Sequence, residues 1–131
     1  FVNFSGSAIA LTPESKTCDA ILQAWYPGQA GGTAIANVLF GDYNPAGRLP
    51  VTFYKSTSQL PGFEDYSMKG RTYRYMTEAP LFPFGHGLSY TTFRYGDASL
   101  STQEVKDGEQ TILTIPVSNA GERDGEEVVQ V

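Results

Sequence analysis

The sequence predicts an α/β unit followed by the first strands of a β-sandwich. The chain has 131 residues, of which 40% are hydrophobic and 13% aromatic, enough apolar material for a packed core. A short apolar segment at Ala20–Tyr26 precedes a glycine-rich loop and an apolar helical pattern at Ala34–Phe40, which is the order of a parallel α/β unit. From Thr91 onwards the pattern changes to the alternation that is typical of antiparallel strands.

The first thirty residues contain two strand patterns and one short helical turn. Phe1–Leu11 predicts a strand that runs into a turn of small residues, and Ala20–Tyr26 predicts a buried strand because it is short and rich in large apolar residues. Between them, Thr12 is expected to cap a helical turn in which Pro13 takes the first position.

The helix predicted over Ala34–Phe40 has a glycine at each end. Thr33 or Gly32 is expected to cap its start, and Gly41 stands where a helix commonly ends. In the turn that follows, Asp42 is expected to close the loop by an ion pair with Arg48.

The middle of the chain alternates between short patterns and loops. Val51–Tyr54 predicts a short strand, Lys55–Lys69 a long loop, and Arg71–Tyr75 a further strand because its residues alternate. Leu81–Leu88 mixes aromatic residues with glycine and proline, which favours an irregular segment between two bodies.

The last forty residues predict about three antiparallel strands. They are Thr92–Ser99, an alternating segment from Leu113 to Ser118, and Glu127–Val131. Glu126 and Glu127 are expected to be solvated on the last of these. Because strand-like patterns at both ends would leave bare sheet edges, we expect a fragment of a longer polypeptide.

Charge and composition exclude several classes of function. With 9 basic and 14 acidic residues, the net charge of −5 offers no basic footprint for nucleic acid, and no apolar run of membrane length is present. The glycines Gly28, Gly31 and Gly32 fit neither common nucleotide-binding spacing. His86 is the only histidine, so we expect a structural role for it and no metal site.

One loop offers candidate binding residues. Tyr66, Lys69 and Arg71 have polar tips, lie in or directly after the long loop, and are expected to be exposed. Long loops in compact domains are often functional. We therefore predict these three residues as substrate-binding.

Long segments of the chain resemble glycoside hydrolase family 3. They are AILQAWYPGQAGGTAIANVLFGDYNPAGRLPVTF (Ala20–Phe53), GRTYRYM (Gly70–Met76) and PLFPFGHGLSYTTF (Pro80–Phe93). The resemblance implies that residues 1–90 are the C-terminal part of the family's α/β sandwich domain with its linker. It also implies that residues 91–131 begin a fibronectin type III-like domain.

The same resemblance implies a retaining, exo-acting hydrolase that releases terminal β-linked sugars from plant-polysaccharide oligosaccharides. Such an enzyme uses a nucleophilic Asp and an acid/base Glu, and both are expected upstream of Phe1. None of Glu14, Glu64 and Glu78 matches the acid/base context, so no catalytic residue is assigned. The chain would act as scaffold, with the missing barrel and sandwich segments as its partners and no cofactor.

The choice of sugar depends on the motif GRTYRYM followed by FPFGHGLSYTTF, which resembles the β-xylosidase and α-arabinofuranosidase branch of the family more than the β-glucosidase branch and favours xylose. A β-glucosidase of the same family, or a non-catalytic carbohydrate-binding or interaction module, remains open as an alternative. The substrate class implies a periplasmic or secreted protein.

Overall fold

A computed structural model describes all residues from 1 to 131, and the fold opens on a parallel pair of strands. Strand β1 (Val2–Asn3) pairs with β2 (Leu22–Gln23), with Val2 opposite Leu22. This pairing confirms the predicted parallel arrangement. Both strands are shorter than their apolar patterns, and β2 is half-buried rather than buried.

Along the chain, one helix lies between these two strands and a second helix follows them. Helix α1 (Thr12–Thr17) begins at Thr12, which is its first residue rather than its cap; the Thr12 hydroxyl donates instead to the carbonyl oxygen of Lys55 at 2.8 Å. Helix α2 (Gly31–Phe40) begins three residues earlier than predicted, and neither Gly32 nor Thr33 caps it. It ends at Gly41, as predicted.

A chain of aromatic rings forms the centre of the molecule. Phe53 is 1% exposed, and the rings of Trp25 and Phe82 meet it edge-on, with centroids 6.2 and 6.4 Å away. Phe82 in turn stacks on His86 at 5.0 Å. These contacts join segments that are far apart in sequence, so the core is made mainly by loops.

Two extended segments, residues 49–53 and 82–86, run antiparallel through this core. The amide of Leu49 donates to the carbonyl oxygen of His86 at 2.8 Å, and the amide of Phe53 donates to that of Phe82 at 2.9 Å. Between Val51 and Tyr54 the pairing amounts to a single bridge, so the strand predicted there is wrong.

The segment predicted as a strand at Arg71–Tyr75 is a single helical turn, α3 (Thr72–Tyr75). The amide of Met76 donates to the carbonyl oxygen of Thr72 at 3.1 Å and closes the turn. Thr72 itself has φ = 56°, in the left-handed region that β-branched residues rarely adopt. The alternation of arginine and tyrosine therefore does not mark a strand here.

The last forty residues form two separate antiparallel pairs. Strand β3 (Phe93–Tyr95) pairs with β6 (Val117–Asn119), and β4 (Ser99–Leu100) pairs with β5 (Leu113–Thr114). Glu127–Val131 is irregular, so the strand predicted there is wrong. No helix of the structure has both the length and the apolar character needed to cross a membrane.

Candidate functional site

The long loop folds around a surface cleft of about 450 Å³. The cleft brings together two of the predicted binding residues, Tyr66 and Arg71. Lys69, the third, is exposed and does not line it. The lining residues are Thr57, Leu60, Pro61, Phe63, Asp65, Tyr66, Met68 and Arg71.

Arg71, at the C-terminal end of the loop, donates hydrogen bonds to backbone carbonyl groups earlier in the loop. Its guanidinium donates to the carbonyl oxygen of Ser67 at 3.1 Å and also to that of Asp65. The Asp65 carboxylate accepts from the amide of Ser67 at 2.8 Å. The hydrogen bonds from Ser67, assisted by the charge of Arg71, hold the pKa of Asp65 below its usual value. The cleft therefore presents a carboxylate and a guanidinium, each held by hydrogen bonds to the backbone of the loop.

Two aromatic faces stand free at the edge of the cleft. Phe63 is 92% exposed and Tyr66 is 89% exposed, although rings of this size usually pack against other groups. Phe63 was not among the predicted site residues. Its signal in the sequence is its place after the Pro61-Gly62 turn, inside the loop that carries Tyr66. Apolar faces beside charged groups suit a polar ligand that has one flat apolar side.

The cleft cannot carry out glycoside hydrolysis with its own residues. Hydrolysis of this kind uses two carboxyl groups on either side of the bond, and Asp65 is the only carboxylate that lines the cleft. Glu78 accepts a hydrogen bond from Gln59 at 3.3 Å and lies outside it. No group of three or more His, Cys, Asp or Glu side chains is placed to hold a metal ion.

A second polar cluster surrounds Arg48, and its partner differs from the predicted one. Arg48 pairs with Glu127 at 2.7 Å rather than with Asp42, and Tyr95 donates its hydroxyl to the same carboxylate at 2.9 Å. Glu127 is therefore not the solvated residue that we predicted. Desolvation, followed by the hydrogen bond and the negative charge of Glu127, raises the pKa of Tyr95.

His86 lies behind this cluster. Its ring stacks on Phe82, and the structure gives its imidazole no hydrogen bond from the protein. Burial, together with the nearby charge of Arg48, lowers the pKa of His86. The neutral ring is thus favoured, in keeping with a residue that packs.

Further hydrogen bonds connect the end of α2 to the last third of the chain. The Asn44 side chain donates to the carbonyl oxygen of Asp124 at 2.9 Å and accepts from the amide of Tyr90 at 2.7 Å. The Tyr90 hydroxyl donates to the carbonyl oxygen of Val38 at 2.7 Å, and Arg123 donates to that of Gly41 at 3.0 Å. Residues before and after position 90 are therefore firmly joined.

Comparison with known proteins gives a family match over most of the chain. The model of the glycosyl hydrolase family 3 C-terminal domain matches residues 1–90. A xylan 1,4-β-xylosidase from Xylanibacter ruminicola is 63% identical over 131 residues, which are 100% of this chain and 15% of that protein. A periplasmic β-glucosidase from Salmonella typhimurium is 42% identical over 142 residues, covering 99% of this chain and 19% of its own length.

Solved structures give the same result. The structure of a β-glucosidase from Erythrobacter marinus superposes with a TM-score of 0.80 at 41% identity, over 95% of this chain and 17% of that one. The chain therefore spans less than a fifth of the length of each of these proteins.

Proposed function

The chain belongs to glycosyl hydrolase family 3, and we propose that it forms the C-terminal part of a retaining, exo-acting β-glycosidase. The observation that carries this proposal is the family match over residues 1–90, extended by relatives that align along the whole chain. The complete enzyme would release terminal β-linked sugars from oligosaccharides derived from plant polysaccharides. Its nucleophilic Asp and acid/base Glu would lie in segments outside this chain.

Xylose is the sugar that we propose for release. The 63% identity to a xylan 1,4-β-xylosidase supports this choice, as does the motif at Gly70–Met76. The alternative, a β-glucosidase, is supported by the name of the Salmonella relative and by the superposed structure.

Glucose differs from xylose by an exocyclic CH₂OH group, and a pocket built for xylose would reject that group. We expect kcat/KM of the full-length enzyme to be at least about tenfold higher for an aryl β-xyloside than for the β-glucoside. The reverse ratio would establish the alternative.

Scaffolding is the role that we propose for the chain itself. Only 5 of 131 residues are buried, and large side chains such as Phe40 (84% exposed) face outward. Apolar surface on this scale is favourable only when other segments cover it. The barrel and the remainder of the sandwich domain are the proposed cover.

We also propose a division of the chain near residue 90. Residues 1–90, the part matched by the family model, would complete the α/β sandwich domain. Residues 91–131 would begin a fibronectin type III-like domain, which their two antiparallel strand pairs support. A periplasmic or secreted location is supported by the name of the Salmonella relative.

The cleft loop is proposed to reach the rim of the active site. Tyr66 would stack on a sugar ring, while Arg71 would hold the loop and, with Lys69, offer hydrogen-bond donors to hydroxyl groups. We expect Arg71→Ala in the full-length enzyme to lower kcat/KM on xylo-oligosaccharides about tenfold, since the variant loses charge-assisted hydrogen bonds.

The matched control is Arg74→Ala. Arg74 lies three residues further along, is exposed, and makes no side-chain hydrogen bond in the structure. It should leave kcat/KM unchanged. If Arg71→Ala behaves like this control, the loop does not contribute to the rim.

A further inference from the structure

We propose that Tyr54 and Thr52 are positioning residues, whose hydroxyl groups hold the cleft loop in the shape that receives the oligosaccharide. This inference rests on the rim role proposed for Arg71. Neither residue lines the cleft. Both act on the backbone immediately after Arg71, so their influence on a ligand is indirect.

Two hydroxyl groups accept hydrogen bonds from two consecutive backbone amides. The Tyr54 hydroxyl oxygen accepts the amide of Thr72 at 3.0 Å, and the Thr52 hydroxyl oxygen accepts the amide of Tyr73 at 3.1 Å. Thr52 is 6% exposed and its neighbour Phe53 is 1% exposed. Thr52 and Tyr54 therefore lie on either side of Phe53, the most deeply buried large side chain of the molecule.

The backbone held by these contacts is strained. Thr72 has φ = 56°, a conformation that a β-branched residue adopts only where its surroundings impose it, and such strain is concentrated at functional sites. The hydrogen bond that Tyr54 accepts comes from the amide of Thr72 itself. Without that bond we expect Thr72 to return towards the common helical or extended regions.

The direction of the Arg71 side chain depends on this backbone. Arg71 directly precedes Thr72, and its guanidinium reaches back to the carbonyl oxygens of Ser67 and Asp65. A rotation at Thr72 would move the guanidinium away from both oxygens and open the loop. The cleft would then lose its shape while the sugar-cleaving centre, in other segments, stays intact.

The variant that tests this is Tyr54→Phe in the full-length enzyme, which removes one hydroxyl group and keeps the ring. We expect KM for xylotriose to rise about fivefold, equivalent to one lost hydrogen bond, with kcat within about twofold of the parent value. Hydrogen exchange at Thr72 and Tyr73 should become faster. Tyr75→Phe is the control, because the Tyr75 hydroxyl makes no hydrogen bond in the structure; it should change neither quantity.

Two further variants separate positioning from general stability. Thr52→Val, which keeps the buried shape, should raise KM in the same direction as Tyr54→Phe. In Tyr54→Phe/Thr72→Gly the strain is gone, since glycine adopts positive φ readily, and KM should fall back towards the parent value.

The outcomes distinguish this inference from the proposed function. Unchanged KM in both Tyr54→Phe and Thr52→Val, alongside a loss of activity in Arg71→Ala, would overturn the positioning role alone. Unchanged kinetics in all three variants would overturn the rim role of the loop, and the positioning role with it.

Discussion

At the scale of single residues, the Arg48–Glu127 ion pair joins two side chains that are 79 residues apart in the sequence. The two side chains are 10% and 17% exposed, so the pair is largely removed from water. Arg48 also donates to the carbonyl oxygens of Ala46 and Gly47, at 3.2 and 3.1 Å. Removing one member of such a pair leaves the other charge desolvated without compensation.

We therefore predict that Glu127→Gln destabilises the full-length protein. The substitution keeps the shape of the side chain and leaves the Arg48 charge without its counter-ion. The free energy of unfolding measured by urea denaturation should fall by about 1–2 kcal/mol, below the value for a fully buried pair because water still reaches this one. Glu126→Gln is the control: Glu126 is exposed and has no partner, so it should change stability by less than about 0.5 kcal/mol. Equal effects would show that the ion pair is not stabilising.

The sequence could not identify this pair. Asp42 lies six residues from Arg48, whereas Glu127 is 79 residues away. Glu127 meets Arg48 because the last third of the chain folds back onto the segment that follows α2. The candidate site shows the same limit. Tyr66 and Arg71 share one loop, so their proximity was predictable, whereas the support from Tyr54 depends on how the core folds.

At the scale of elements, helix α2 has a glycine at each end, and the two glycines have different environments. Gly41 has φ = 81°, and its amide donates to the carbonyl oxygen of Val38 at 3.2 Å, which closes the helix. A Cβ atom there would also lie 3.3 Å from the Arg123 guanidinium. Gly32, in the first turn, has ordinary helical φ and open space around it.

These environments predict opposite effects for the same substitution. Gly41→Ala should destabilise the full-length protein by about 1 kcal/mol, because alanine is strained at positive φ. Gly32→Ala should stabilise it by up to about 1 kcal/mol, because alanine loses less conformational freedom in a helix. Thermal unfolding followed by circular dichroism checks both signs, with each variant serving as the control for the other. A loss of stability in Gly32→Ala would show that another segment of the full-length protein packs against this turn.

Elements set by local chemistry were predictable, and those set by distant contacts were not. Gly41 marked the end of α2 correctly because the requirement for positive φ is local. Arg71–Tyr75 alternates like a strand, yet amides of α3 donate hydrogen bonds to the distant Tyr54 and Thr52, and these bonds hold the turn. Glu127–Val131 has a strand-like composition but no neighbouring strand to pair with in the structure.

At the scale of the whole molecule, the accessible surface is too large for an independent domain. The chain exposes 9892 Å², whereas a compact monomer of 14.3 kDa is expected to expose about 6,800 Å². The family motifs in the sequence predicted that the chain is part of a larger enzyme. The excess surface area is the physical counterpart of that prediction, because a part of a larger fold exposes surface that other segments cover. What the sequence could not supply is which faces are left uncovered.

The excess surface predicts how the 131-residue chain behaves when it is produced alone. We expect it to bind the hydrophobic dye ANS strongly and to unfold without a sharp thermal transition, because too little apolar surface is buried to offset the loss of conformational entropy. The full-length protein at the same molar concentration is the control, and it should bind little dye and unfold cooperatively. Sharp unfolding of the isolated chain without ANS binding would mean that residues 1–131 fold independently. It would favour a self-contained module over the scaffold role proposed here.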